Sequence, residues 1–114
     1  MIGLVSNILL RYVTQDDPVQ AAQATHVMEH RLTEQEPGFI SVVAMAETVW
    51  VLERSYRFGN ARIAAAIEVM LGAETLVVEN EREVFTAMVA LREERGSFAD
   101  ALIEIGRASC RERV

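Results

Sequence analysis

Past the middle of the chain the hydrophobic period changes. Ile63, Ile67 and Met70 recur at helical spacing, and then Thr75-Leu76-Val77-Val78 runs as a short, continuous, β-branched apolar segment. A run of that length reads as a fully buried strand of a parallel sheet rather than as half of a hairpin. A second capping pair follows it, Asn80 and Glu83, opening a helix with Val84, Met88 and Leu91 on its inner face. Helix, buried strand and helix in succession restrict the chain to architectures in which strands are joined by helical crossovers.

The rest of the sequence repeats that alternation. Met1 to Val5 is a short apolar run ended by Ser6-Asn7 and reads as a first strand, with Asn7 placed to cap a helix from Ile8 to Val13. Asp17, Pro18 and Gln20 suit the N-cap, the first helical position and the reciprocal capping-box partner of a further helix. Its inner stripe is Ala21, Ala24, Met28 and Leu32, with Gln23, Glu29 and Arg31 off the stripe. After the turn Glu36-Pro37-Gly38 come a very short strand at Phe39-Ile40 and Ser41 as N-cap of the most apolar helix, with Val42, Met45, Val49, Leu52 and Tyr56 on one side. Gly59 stops that helix, Asn60 can cap the next, and Gly72 sits where a C-cap belongs. Gly96 ends the helix that Asn80 opens, and Ser97 starts another. The expected fold class is α/β, a three-layer α/β/α arrangement around a parallel sheet. Three visible strands are few for a sheet of roughly four to six, so the sheet is expected to be incomplete at its C-terminal end, with an exposed edge that favours aggregation.

Composition narrows the function. At 114 residues, 51% hydrophobic and 25% charged, the chain suits one globular domain. A formal net charge of −6 argues against a broad basic surface for nucleic acid and leaves room only for a local site. No apolar run approaches the roughly 20 residues that span a bilayer, and no secretion signal opens the chain. The single cysteine, Cys110, permits no disulfide framework within one chain, which favours a cytoplasmic setting. No Gly-rich phosphate loop follows any strand, which weakens a nucleotide-binding reading.

Four segments, in order, carry a family resemblance: Met1 to Tyr12, Phe39-Ile40-Ser41-Val42-Val43, Ala46-Glu47 with Trp50-Val51-Leu52-Glu53-Arg54, and Phe98-Ala99-Asp100-Ala101-Leu102-Ile103. Together they resemble the PIN-domain ribonucleases, in particular VapC-like toxins of toxin–antitoxin systems. The resemblance implies acidic side chains from separate elements converging where the parallel strands end, to hold Mg²⁺ or Mn²⁺. Carried over position by position, Glu47 matches the second acid and Asp100 the third. Val5 stands where the first belongs, Ser6 where a threonine is usual, and the fourth acid would lie after a further strand. Valine offers no lone pair to a cation, so the metal affinity and the rate should suffer. Ser6 and Asn7 are supporting candidates, Asn7 being equally well explained as a helix cap. The resemblance also implies an RNA substrate, a cognate antitoxin and a homodimer. Residues 1–104 are expected to form the domain; residues 105–114 resemble the translation of a sequencing-adapter oligonucleotide and are expected to be a non-native tail.

Each candidate has a blander explanation. Glu47 could be a solvated helix-flank residue, although it interrupts an otherwise apolar run from Val42 to Leu52. Asp100 fits the N3 position of a capping box opened by Ser97, a role compatible with metal binding. His26 and His30 have the i, i+4 spacing of zinc ligands but also that of ordinary surface histidines. Trp50 and Tyr56 read as core or dimer packing rather than as base-stacking platforms, and Arg11, Arg54 and Arg57, which could contact phosphate, as solvated helix arginines. Two hypotheses follow: a metal-dependent endoribonuclease toxin expected to be impaired by Val5 and by truncation, and a catalytically inactive module that dimerises or binds an antitoxin.

Overall fold

A computed structural model describes residues 1–93 together with Phe98 and Leu102. Three strands, β1 (Ile2–Gly3), β2 (Gly38–Ile40) and β3 (Leu76–Val78), lie side by side in chain order and all run parallel. Parallel neighbours require the chain to travel back along the sheet between strands, and helices do so. The first crossover holds α1 (Ser6–Thr14) and α2 (Pro18–His26), the second α3 (Val42–Arg54) and α4 (Asn60–Gly72), and α5 (Glu81–Arg92) follows β3. The fold class is α/β, as the alternation predicts.

The predicted helical stripes form the core. Ala21, Ala24, Met28 and Leu32 are buried, as are Met45, Val49 and Leu52 of α3, Ile63, Ile67 and Met70 of α4, and Val84, Met88 and Leu91 of α5. Phe98 and Leu102, both helical, bury their side chains in the same cluster. Thr48 is the one fully buried polar side chain among the described residues; its hydroxyl donates to the Ala44 carbonyl at 2.7 Å, which removes the cost of an unpaired group.

Several boundaries differ from the sequence reading. Asp17 caps α2 as expected, its Oδ1 accepting from the amides of Val19 and Gln20 at 3.0 and 3.1 Å, with Pro18 at the first helical position, but no reciprocal Gln20 bond is present. Helix α1 starts at Ser6, with Val5 as an N-cap that has no side-chain bond, so Asn7 lies inside the first turn and does not cap. Helix α4 is capped by Gly59 rather than Asn60, and its C-cap, Ala73, is extended, which leaves Gly72 as the last helical residue. Asn80 adopts a left-handed conformation, φ 54°, ψ 49°, at the start of α5 without a side-chain bond, so the expected Asn80–Glu83 box is not formed. The stripe continuing from α2 runs through a π-helical turn, Val27–Arg31, before reaching Leu32. β3 is less buried than a fully enclosed strand: Val77 is 40% exposed, and β3 pairs only with β2 among the described residues. The Ser97 start and the Gly96 stop lie outside the described residues.

Gly38 is placed where a side chain would fit only if its neighbours shifted. It pairs with Ile2 on one side and Leu76 on the other, and a Cβ there would lie 2.8 Å from the Cδ1 atoms of both Leu4 and Leu32. Those leucines close over the central strand. Gly38→Ala should force them to repack and destabilise the protein by about 1–3 kcal/mol in urea denaturation; an unchanged midpoint would show that the approach is looser than the geometry indicates.

At the other end of the crossover helices, Asp16 links α1 to the end of α3. Tyr56 Oη donates to Asp16 Oδ2 at 2.7 Å, Thr14 Oγ1 donates to Oδ1 at 3.0 Å, and Arg11 pairs with Oδ1 at 3.3 Å. The Tyr56 hydrogen bond, first among these, holds the Asp16 carboxyl below its ordinary 3.8, and the same bond raises the Tyr56 phenol above 10.0. The Asp16 contribution is therefore present above its unfolded pKa and lost as pH falls through the folded value. That of Tyr56 is fully present below its unfolded pKa and lost as pH rises through the folded value. Tyr56→Phe should flatten both the acid and the alkaline loss of stability, read from denaturation midpoints at acid, neutral and alkaline pH.

Candidate functional site at the strand ends

Parallel strands in register bring their C-terminal ends to one edge, and three helix starts follow. Val5 and Ser6 follow β1 after Leu4, Ser41 follows β2, and Glu79 and Asn80 follow β3. The N-terminus of a helix leaves amide donors unpaired, and side chains at this edge satisfy some of them. Ser41 Oγ accepts from the Ala44 amide at 3.0 Å, and Glu79 Oε1 accepts from the Val42 amide at 2.8 Å, so the start of α3 is tied to both β2 and β3. That contact commits one oxygen of Glu79 to a capping role that no sequence signal indicated, since 37 residues separate the partners.

Ser6 and Glu47 meet here. Ser6 Oγ donates to Glu47 Oε2 at 3.0 Å, joining the first residue of α1 to the second turn of α3 across 41 residues of sequence. Glu47 is exposed, flanked on α3 by buried Met45, Thr48 and Val49. Val5, 60% exposed, adjoins Ser6 with extended backbone, φ −90°, ψ 156°, a conformation in which an aspartate would serve as an N-cap. Asn7 is exposed, lines a shallow concavity with Ile8, Arg11 and Gln20, and its side chain makes no hydrogen bond among the described residues. Asp100 lies outside the described residues.

The donors fit a divalent cation in kind and not in number. Magnesium and manganese take hard oxygen ligands, and a carboxylate beside a hydroxyl is of that type. Among the described residues, however, no three His, Cys, Asp or Glu side chains come together, and Val5 adds an apolar surface where a second carboxylate would be needed. His26 and His30, both exposed with ring centres 5.2 Å apart, likewise form only a pair. The apolar concavity of about 410 Å³ lined by Leu9, Tyr12, Phe58, Arg62, Met70 and Leu76 sits against the beginning of β3 and includes neither Ser6 nor Glu47. No described helix is long and apolar enough to cross a membrane.

A short parallel sheet crossed by helices, with a carboxylate held at its strand ends, defines an α/β protein. The comparison with family models agrees: the PIN-domain model matches residues 2–104, and the chain belongs to the PIN-domain family. No curated protein and no solved structure matches the chain significantly.

The Ser6–Glu47 bond is open to direct measurement. In a double-mutant cycle of Ser6→Ala and Glu47→Ala, the coupling energy should be about 0.5–1.5 kcal/mol, the range for an ordinary intramolecular hydrogen bond, since exposure to solvent offsets the gain from the charge. A coupling indistinguishable from zero would mean that the two side chains are not held together in solution.

Proposed function

We propose that this chain is a divalent-metal-dependent endoribonuclease of a toxin–antitoxin pair, using Mg²⁺ or Mn²⁺ held by Glu47 and Asp100, with its activity held down by Val5. The observation that carries the reading is the Ser6–Glu47 contact at the strand ends, because it joins two segments that resemble the family's site. In this reading Ser6 orients the Glu47 carboxylate toward the cation. Ser6 and Asn7, at the start of helix α1, would support the site in this reading, since helix starts present amides and a positive dipole end to anions. When bound, the cation supplies an activated water and offsets charge that builds on the phosphate. A cognate antitoxin would keep the site covered, and the active form would be a homodimer.

A second reading rests on Val5. An exposed valine at the position of the missing acid removes a ligand and leaves an apolar surface next to Ser6 in the chain, as expected for an inactive module that dimerises or binds an antitoxin.

Val5→Asp in the full chain separates the two. With RNA and Mg²⁺ or Mn²⁺, the variant should cleave at least about tenfold faster than the parent, since one lost ligand interaction of 1.4 kcal/mol already corresponds to that factor. Adding Glu47→Gln should abolish the gain. Divalent cation should also raise the Tm of Val5→Asp more than that of the parent, because the two carboxylates repel until a cation lies between them. If no variant cleaves RNA, the enzyme reading fails and the inactive module takes its place.

A further inference from the structure

Helix α2 runs without a break into the π-helical turn Val27–Arg31, with His26 as the last residue of the one and His30 inside the other. Such turns are rare and gather at functional sites. Both imidazoles are exposed and line one shallow concavity with Gln15, Ala21 and Thr25. Neither ring has a hydrogen-bond or ion-pair partner among the described residues, and each meets only the other. Their centres lie 5.2 Å apart with the planes tilted by 36°. Rings that attract each other stack in offset or meet edge to face, and this tilt is neither.

We propose that His26 and His30 bind one divalent cation of the borderline kind, Zn²⁺, Ni²⁺ or Cu²⁺, as a two-nitrogen site separate from the one at the strand ends. With Zn–N bonds of about 2.0–2.1 Å in tetrahedral geometry, two imidazoles on one ion have their ring centres roughly 5 Å apart. The observed separation already has that value, so little rearrangement is needed to admit the ion. The pair sits at i, i+4 on a continuous stretch of helical backbone, which keeps both rings on one face. Imidazole nitrogen suits zinc, copper and nickel, whereas magnesium prefers oxygen, so the two sites of this chain would take different ions. A liganding imidazole is normally oriented through its second nitrogen by an acceptor nearby. Gln15 supplies one in the same concavity: its amide nitrogen donates to the Tyr12 carbonyl at 2.9 Å and to Thr25 Oγ1 at 3.2 Å, which leaves its side-chain oxygen to accept. Water completes the shell, so the site is open and weaker than a closed structural one of four protein ligands. An ion held by both rings ties the end of α2 to the π-helical turn and stabilises the folded chain by mass action. None of this depends on the nuclease reading, since Ser6, Asn7 and Glu47 lie outside the concavity.

His26 and His30 are the only histidines, so their ring signals in a proton NMR spectrum report on the site alone. The full chain is titrated with Zn²⁺ and, separately, with Mg²⁺. Both ring signals are expected to shift along one shared zinc curve and to ignore magnesium. Calorimetry should find one zinc ion bound by this pair, and Tm should rise with zinc concentration. Removing even an outer-shell partner of a metal site costs about 10–100-fold in affinity, so His26→Ala and His30→Ala should each lose at least tenfold. Cys110 stays in every variant, so any zinc it takes is common to all. The metal-free Tm should be unchanged, because both side chains are exposed, and Glu47→Gln should leave zinc binding as it is. Separate curves for the two rings, single variants that each keep half of the binding, or a double variant with undiminished affinity would overturn the site by making the pair two independent surface histidines. A loss in Glu47→Gln as large as in the histidine variants would overturn it too, by placing the zinc at the strand ends.

Discussion

Gly38 is paired with Ile2 on one side and Leu76 on the other, and the rest of the structure depends on this double pairing. It sets three parallel strands level, so their C-terminal ends, and the helix starts that follow them, share one edge. The absence of a Cβ at Gly38 lets Leu4 and Leu32 close over the centre of the sheet. From that alignment follow the Glu79 cap on the start of α3 and the contact of Ser6 with Glu47. A short sheet of two- and three-residue strands has few ladder bonds, so its register is held mainly by the helices packed on it.

The strand ends gather polar side chains of two kinds. Ser41 and Glu79 have structural work, satisfying amides at the start of α3. Ser6 and Glu47 satisfy each other and remain open to solvent. Exposure there, next to an uncapped helix start with an apolar N-cap, is a local conflict between stability and a site, since a serine or aspartate at position 5 would cap α1 better than valine does. The same position decides between a nuclease and an inactive relative.

Much of this was legible in the sequence, for identifiable reasons. The inner stripes of α2, α3, α4 and α5 are correct because period 3.6 is strong in segments that bury one face against a sheet. Asp17 was readable because an acid, a proline and a break in the apolar pattern coincide. Caps at Asn7 and Asn60 were misplaced, and Asn80 takes the N-cap position of α5 without a side-chain bond, because asparagine also accepts ordinary helical and left-handed conformations, which its chemistry alone does not distinguish. The Asp16–Tyr56 and Glu79–Val42 contacts span 40 and 37 residues and leave no local signal. Of the two readings of Trp50, core or dimer packing, its exposure removes the first; α3 is apolar on nearly every side, so periodicity could not show which apolar residues face outward. Of the candidate site, Ser6 and Glu47 are brought together, Asn7 is nearby in sequence but unengaged, and Asp100 lies outside the described residues.

The central claim is that carboxylates from distant segments share one cation where the parallel strands end. Paramagnetic broadening of backbone amide NMR signals by Mn²⁺, added in small steps to the full chain, tests it without requiring turnover. The account predicts that signals of Ser6, Glu47 and Asp100 broaden together and ahead of the rest, and that Glu47→Gln weakens the effect at all three. Broadening of Glu47 without Asp100, or broadening centred elsewhere on the molecule, would contradict it.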